Sequence, residues 1–180
     1  MPDLSGARRA PAVNEDLWLR LLPDACRWVL RGDAQVRAAA QEALGVPVPE
    51  QACRAGVNGE RAALWLGPDE WLLLAPPEQG GLALRLSRAL EGQAHSLVEV
   101  SHRQVGLLVH GPHAATLLAS GCPLDLDANT FPVGMCTRTM LAKAEVVLWR
   151  QAPAEFRLEV WRSFAPYVTQ FLAEAARGTI

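Results

Sequence analysis

Apolar and polar residues alternate in short runs along this chain, and the runs predict strands interrupted by a few helices. Residues 17–22 and 25–31 have strand-like composition on either side of a Pro-Asp turn. The alanine-rich stretch 34–44 predicts a helix, because Ala, Gln, Arg and Glu have high helix propensity and Asp33 can cap its free N–H groups. Gly45 is expected to end this helix.

Extended segments follow the helix. Residues 51–55 form a weak candidate strand, whereas residues 61–66 and 70–75 form stronger ones. The sequence Gly67-Pro68-Asp69 between the stronger two has the chemistry of a tight turn, so they predict a hairpin. Leucines at helical spacing then predict a helix over residues 80–90.

The same order of elements returns in the second half. Strands are expected over residues 95–101, 104–110, 135–141, 145–150 and 155–161, and helices over 113–120 and 164–176. In the last strand, apolar residues alternate with Arg157 and Glu159, which predicts one solvent-exposed face. Each half therefore has the order β-β-α-β-β-β-α, an α+β pattern rather than an alternating βαβ one.

The two halves, about 14–91 and 95–177, are joined by a short linker without low-complexity sequence. This predicts one intertwined domain over residues 14–180. Residues 1–13 contain prolines and arginines but no apolar signal-peptide core, so a flexible N-terminus is expected. Because no apolar run reaches the roughly 18 residues of a membrane helix, we expect a cytoplasmic protein that does not bind membranes.

Composition supports a globular fold, since 50% of the residues are hydrophobic and 20% are charged. The formal net charge of −2 gives no basic balance that would indicate nucleic-acid binding. The four cysteines, Cys26, Cys53, Cys122 and Cys136, have neither CxxC nor zinc-site spacing. They are predicted to be reduced and mostly buried thiols.

Few motifs in the sequence indicate a catalytic or cofactor-binding site. Neither GxGxxG nor a P-loop occurs, so a nucleotide cofactor would need another chain. Ser101 and His102 are neighbours at a strand end, which is poor geometry for a catalytic pair. Asp125 and Asp127 could form a paired-carboxylate site, but hydrogen bonds to loop N–H groups are the favoured reading. No catalytic, cofactor-binding or metal-binding residue is predicted.

Tryptophan and arginine suggest a surface for another protein, since both are enriched at interface hot spots. The predicted partner surface consists of Trp71, His102, Arg103, Arg138 and Arg162. Arg138 and Arg162 stand at the ends of apolar segments, where they could anchor a partner. Ordinary surface arginine is the alternative for each of them.

Five stretches taken together resemble the sarcosine oxidase gamma subunit family. They are residues 64–74, 98–103, 121–126, 131–139 and 156–164, and the resemblance extends over residues 14–177. It implies a fold like the folate-binding domain of the glycine-cleavage aminomethyltransferase, with duplicated β2-α-β3-α units whose first strands are exchanged. The repeat read from the element order agrees with this fold.

The resemblance also implies a role within a complex. Alpha, beta, gamma and delta chains of such heterotetrameric oxidases convert sarcosine to glycine, hydrogen peroxide and a one-carbon unit. FAD, FMN, NAD and tetrahydrofolate are implied for the partner subunits, with no cofactor in this chain. The sequence is therefore predicted to be a non-catalytic gamma subunit.

Two alternatives stay open at this point. The first is a stand-alone folate-binding or aminomethyltransferase-like protein, which would need Asp69, Glu99 or Asp125 to face an inward pocket. The second is the equivalent subunit of an oxidase for another N-methyl amino acid.

Overall fold

The computed structural model describes residues 18–77 and 81–179; the predicted flexible segment 1–13 lies outside them. In chain order, the elements are β1 (Trp18–Leu21), β2 (Cys26–Gly32), α1 (Ala34–Leu44), β3 (Ala55–Asn58), β4 (Arg61–Gly67), β5 (Glu70–Ala75), α2 (Leu82–Ala89), β6 (His95–Glu99), β7 (Gln104–His110), α3 (Ala114–Ala119), β8 (Cys136–Leu141), β9 (Ala144–Ala152), β10 (Glu155–Trp161) and α4 (Ala165–Thr179). Within the two described ranges, no helix is long and apolar enough to cross a bilayer.

The strands form two five-stranded sheets, one in each of two compact units of the chain. One sheet has the order β3-β4-β5-β2-β6, and the other, read from β8, has the order β8-β9-β10-β7-β1. Corresponding strands of the two halves thus occupy matching positions. The α+β fold, the duplication and the exchange are confirmed, because β1 completes the sheet of the second half and β6 that of the first.

A row of side chains across three strands holds the exchanged strand β1. Trp18 pairs in register with His110 of β7, which pairs with Glu155 of β10. The Trp18 and His110 rings stack with 4.7 Å between their centroids, and His110 Nδ1 lies 3.3 Å from a Glu155 carboxylate oxygen. The Arg20 guanidinium lies 5.5 Å from the Trp18 ring centroid. Such cross-strand pairs each contribute about 0.2–1 kcal/mol and fix the register of β1.

Strand β6 is held to β2 by hydrogen bonds that continue past its end. The Val100 N–H donates to the Arg27 carbonyl at 2.8 Å, and the Arg27 N–H donates to the Ser101 hydroxyl at 2.9 Å. The Ser101 hydroxyl also donates to the Glu99 carboxylate at 2.9 Å. Ser101 therefore makes structural hydrogen bonds just past the end of β6.

Helices α1 and α2 pack on one face of the sheet that contains β2. The Asp33 carboxylate caps α1 by accepting the N–H groups of Gln35 and Val36 at 2.9 and 3.0 Å. Gly45 ends the helix with φ of 72°, a conformation that glycine adopts readily. The side chains buried between helices and sheet are mostly aliphatic: Trp28, Leu30, Val36, Ala40, Leu44, Val46, Val48, Ala63, Trp71, Leu73, Ala75, Leu82, Leu86 and Leu90.

In the other unit, the buried Arg150 of β9 organises the loop between α3 and β8. Its guanidinium donates to the loop carbonyls of Leu126 and Phe131 at 3.3 and 2.9 Å, and to the Pro153 carbonyl in the turn after β9 at 2.6 Å. It also lies 5.0 Å from the centroid of the Phe156 ring. A buried guanidinium requires several acceptors, so the backbone of the loop is held against β9.

Asp125 and Asp127 belong to this loop and bind its backbone. The Asp127 N–H donates to the Asp125 carboxylate at 3.0 Å, and the Asn129 N–H donates to the Asp127 carboxylate at 2.9 Å. The hydrogen bond from the Asn129 backbone is the main cause that holds the pKa of Asp127 below its ordinary value. The favoured reading of these aspartates as loop residues is confirmed.

Two local predictions are wrong. The weak strand expected over residues 51–55 begins only at Ala55, because the chain turns before it and Cys53 adopts a φ of 58°. The face of β10 expected in solvent instead contains a buried carboxylate. Glu159 is 1% exposed, and its carboxylate lies 2.6 Å from the Arg157 guanidinium. Alternation identifies the polar face but not its exposure.

Gly56 of β3 provides a test of the close packing in this fold. A Cβ at Gly56 would lie 1.7 Å from the carbonyl oxygen of Pro47, a backbone atom that cannot turn away. We expect Gly56→Ala to lower the free energy of unfolding by about 2–3 kcal/mol or more, measured by urea denaturation. The control is Gly59→Ala, where a Cβ would meet nothing within 4 Å and only the φ of 59° opposes it. Equal losses in both variants would contradict the close approach.

Candidate partner-docking surface

Trp71, which the sequence analysis included in the partner surface, lies in the hydrophobic core. The residue is 2% exposed, and its indole N–H donates to the Pro49 carbonyl at 2.7 Å. A buried tryptophan with its polar atom satisfied offers almost no surface to a partner. We therefore assign Trp71 to the core of its sheet and base the docking surface on exposed residues.

The other four predicted residues are exposed. His102 and Arg103 lie in the turn between β6 and β7. Arg138 lies on β8, where its Nε is 3.9 Å from a Glu145 carboxylate oxygen, and Arg162 directly follows β10. Arg138 and Arg162 belong to one compact unit, whereas His102 and Arg103 belong to the other. The four residues therefore form two pairs, one in each compact unit.

Three exposed aromatic residues follow one another where β10 leads into α4. Trp161, Phe164 and Tyr167 are 41%, 42% and 38% exposed. The turn that connects them is fixed by backbone hydrogen bonds, since the Phe164 N–H donates to the Trp161 carbonyl at 2.8 Å and the Val168 N–H donates to the Phe164 carbonyl at 2.9 Å. Val168 itself is buried, so α4 is anchored directly beside these aromatic residues.

Strand β8 adds an arginine and an apolar residue at the same end of this sheet. The register of β10 with β9 puts Trp161 at the end where Glu145 lies, and Glu145 is the ion-pair partner of Arg138. Met140, two residues along β8 from Arg138, shares its face and is 43% exposed. The set Trp161, Arg162, Phe164, Tyr167, Arg138 and Met140 is called the sheet-end surface below.

The composition of the sheet-end surface suits binding to a protein. Aromatic residues, methionine and arginine are enriched in interfaces, and Trp, Tyr and Arg dominate hot spots. Exposed apolar residues that are scattered singly are ordinary. Here Trp161 and Met140 lie at one end of one sheet, Phe164 and Tyr167 follow where the chain enters α4, and two arginines stand beside them in sequence or on the same strand face.

The acidic residues that a folate pocket would require do not face inward. Asp69 is exposed and lies 3.0 Å from the Arg31 guanidinium. Glu99 is exposed and accepts the Ser101 hydroxyl, and Asp125 is exposed and accepts a backbone N–H of its own loop. Among the residues that the structure describes, no group of three or more His, Cys, Asp or Glu could hold a metal ion.

Sequence reasoning missed Trp161, Met140, Phe164 and Tyr167, although part of the signal for Trp161 was present. The alternation in β10 assigns Trp161 to the same face as Arg157 and Glu159. This polar face was the available signal for Trp161, but the buried Glu159 on the same face shows that alternation alone does not establish exposure. No comparable pattern distinguishes the exposed Met140 from the buried residues around it.

Known proteins resemble this chain over most of its length. The model described as "Sarcosine oxidase, gamma subunit family" matches residues 31–178. The sarcosine oxidase subunit gamma of an Arthrobacter species is 36% identical over 139 residues, which cover 77% of this chain and 68% of the relative. That of Corynebacterium sp. strain U-96 is 33% identical over 167 residues, which cover 93% and 77%.

Two solved structures extend the comparison. Heterotetrameric sarcosine oxidase from Corynebacterium sp. U-96, in complex with pyrrole 2-carboxylate, contains a chain of 31% identity that matches with a TM-score of 0.84 over 90% of this chain and 84% of its own. Aminomethyltransferase T of the glycine cleavage system from Bartonella henselae matches at 14% identity with a TM-score of 0.66 over 92% of this chain and 50% of its own. The second likeness concerns the fold alone and agrees with the expected duplicated unit.

Truncating two tryptophans tests the separation of core and surface. We expect Trp71→Ala to lower the free energy of unfolding by about 3–5 kcal/mol, because it leaves a cavity and an unsatisfied Pro49 carbonyl. Trp161→Ala should cost about 1 kcal/mol, because much of its ring is already in water. Chemical denaturation of both variants measures the difference. Similar losses for both would contradict the assignment of Trp161 to the surface.

Proposed function

The chain belongs to the sarcosine oxidase gamma subunit family, and we propose that it acts in the cytoplasm as the non-catalytic gamma chain of a heterotetrameric sarcosine oxidase. The observation that carries the proposal is the likeness to a chain of that complex, with a TM-score of 0.84 over 90% of this chain. Curated relatives of 33–36% identity bear the same subunit name.

The proposed partners are the alpha, beta and delta chains, and the proposed reaction is the oxidation of sarcosine to glycine with release of hydrogen peroxide and a one-carbon unit. FAD, FMN, NAD and tetrahydrofolate belong to the partner subunits in this proposal. The chain would contribute a docking surface rather than a reactive group. In support, the charged side chains inside this unit serve its structure: Arg150 binds backbone carbonyls, and Arg157 and Glu159 form an ion pair with each other.

We further propose that the sheet-end surface contacts one of the larger subunits. Trp161, Phe164 and Met140 would bury apolar area there, and Arg162 would favour a carboxylate on the rim of the partner. The backbone hydrogen bonds of the β10–α4 turn support this choice, because a preorganised surface loses little conformational entropy on binding. His102 and Arg103, in the other unit, remain a second predicted contact.

Co-purification with the partner subunits tests the docking surface. When the tagged chain is co-expressed with the genes of the alpha, beta and delta chains, it should recover a flavin-coloured complex. Trp161→Ala combined with Phe164→Glu should reduce the recovered partner roughly tenfold or more, since loss of hot-spot contacts costs at least about 2 kcal/mol. The matched control is Leu84→Glu, which changes an exposed apolar residue on α2 in the other unit.

The two parts of the proposal fail in different ways. If the unchanged chain does not recover the partners, the subunit role is wrong. If the double variant recovers them as well as the unchanged chain does, the subunit role stands and the sheet-end surface is not the contact.

The isolated chain provides a separate prediction. Purified alone, it should show no flavin absorbance, no sarcosine oxidation and no saturable binding of tetrahydrofolate at micromolar concentration in a calorimetric titration. The three acids considered for a folate pocket are exposed and bonded locally. Tight tetrahydrofolate binding would instead support the stand-alone alternative, and retained flavin would contradict the absence of a cofactor in this chain.

A further inference from the structure

Two of the four free cysteines, Cys53 and Cys136, lie opposite each other in the same compact unit. Arg54 and Met135 form an antiparallel bridge, so the residue before Arg54 faces the residue after Met135. The Cys136 N–H donates to the Cys53 carbonyl at 3.0 Å, which confirms this register. The sequence alone gives no sign of the pairing, because 82 residues separate the two cysteines.

This register matches the geometry of a disulfide. Opposite residues of an antiparallel pair that share backbone hydrogen bonds have Cα atoms about 5.5 Å apart and side chains on one face. Disulfides join Cα atoms about 4.4–6.8 Å apart. The backbone spacing of this register falls within that range, and because Cys53 lies in the turn before β3 with φ of 58°, forming the bond also requires a local adjustment of that turn.

The two thiols differ in their exposure to solvent. Cys136 is fully buried, and its thiol lies 3.7 Å from the Trp65 carbonyl as a weak donor. Burial is the main cause that raises the pKa of Cys136 to about 12, and the neighbouring Cys53 thiol adds to the rise. Cys53 is partly exposed. An oxidant dissolved in water thus reaches Cys53 first, while Cys136 stays a protonated thiol behind it.

We infer that Cys53 and Cys136 form a redox-sensitive pair that a hydroperoxide converts into an intramolecular disulfide. The Cys53 thiolate attacks one peroxide oxygen, the O–O bond breaks and Cys53 becomes a sulfenic acid, while the departing hydroxide takes up the proton that the Cys53 thiol had released and leaves as water. The Cys136 sulfur then attacks the Cys53 sulfur, the S–O bond breaks, and the departing hydroxide takes the Cys136 proton as a second water. Two thiols lose two electrons, and one hydrogen peroxide is reduced to two waters.

The disulfide would tie the residues that precede β3 to the beginning of β8. Cross-linking residues so far apart in sequence restricts the unfolded chain strongly, so it stabilises the folded state. The bond would be reversible by dithiols. The inference rests on contacts within one unit and does not depend on the proposed oxidase role.

Peroxide treatment of the full-length folded chain tests the pair. After exposure to hydrogen peroxide, alkylation and non-reducing peptide mapping, we expect a linked peptide with Cys53 and Cys136 and the loss of two thiols per chain. The midpoint of thermal unfolding should rise by roughly 5 °C or more and return to its starting value with dithiothreitol.

Matched variants keep the test decisive. Cys53→Ser should abolish both the linked peptide and the thermal shift, whereas Cys136→Ala should leave a Cys53 sulfenic acid that dimedone traps. Cys26→Ser and Cys122→Ser should still form the bond, since neither thiol takes part in the bridge. A Cys53 that is consumed without the linked peptide, or that links to another cysteine, would overturn the inference.

Discussion

Neither sheet of this protein can be completed by one half of its sequence. Strand β1 of the first half pairs with β7 of the second, and β6 of the second half pairs with β2 of the first. An uncovered sheet edge exposes unpaired N–H and C=O groups, so each half supplies an edge strand that the other half needs. The stacked Trp18–His110 pair and the hydrogen bonds between Arg27 and Ser101 lie at these two junctions. The exchanged strand β1 covers the outer side of β7, and β7 in turn pairs with β10.

Strand β10 connects this constraint to the proposed role. Within its sheet it lies between β7 and β9, and one of its faces carries the buried ion pair of Arg157 with Glu159. The strand ends at Trp161, where the polypeptide turns into α4 and exposes aromatic residues beside Arg162. A central strand held on both sides is a rigid support for a binding surface. This arrangement suits a subunit that contributes recognition to a larger oxidase.

Much of the fold could be predicted from local signals. Helix α1 begins and ends as expected, because Asp33 and Gly45 are specific caps, and β5, β7 and β10 match their predicted bounds. The exchange of first strands came from the family resemblance, since pairing of distant strands leaves no mark on local periodicity. The exposures of Trp71 and Trp161 were not separated, because β5 and β10 hold matching positions in their sheets. Only tertiary packing distinguishes them: Trp71 lies in the core formed with α1 and α2, whereas Trp161 ends its strand at the turn into α4. Glu159 is buried beside Arg157 for a similar reason, as alternation gives the face of a residue but not what covers it.

Hydrogen exchange of the backbone amides, followed by mass spectrometry, tests the docking of the sheet-end surface most directly. The chain would be compared alone and within the purified complex with its partner subunits. Exchange should slow in the peptides that contain 161–168 and 138–141, because a bound subunit excludes water from the turn into α4 and from β8. Unchanged exchange in both peptides, with slowing elsewhere in the chain, would contradict the account.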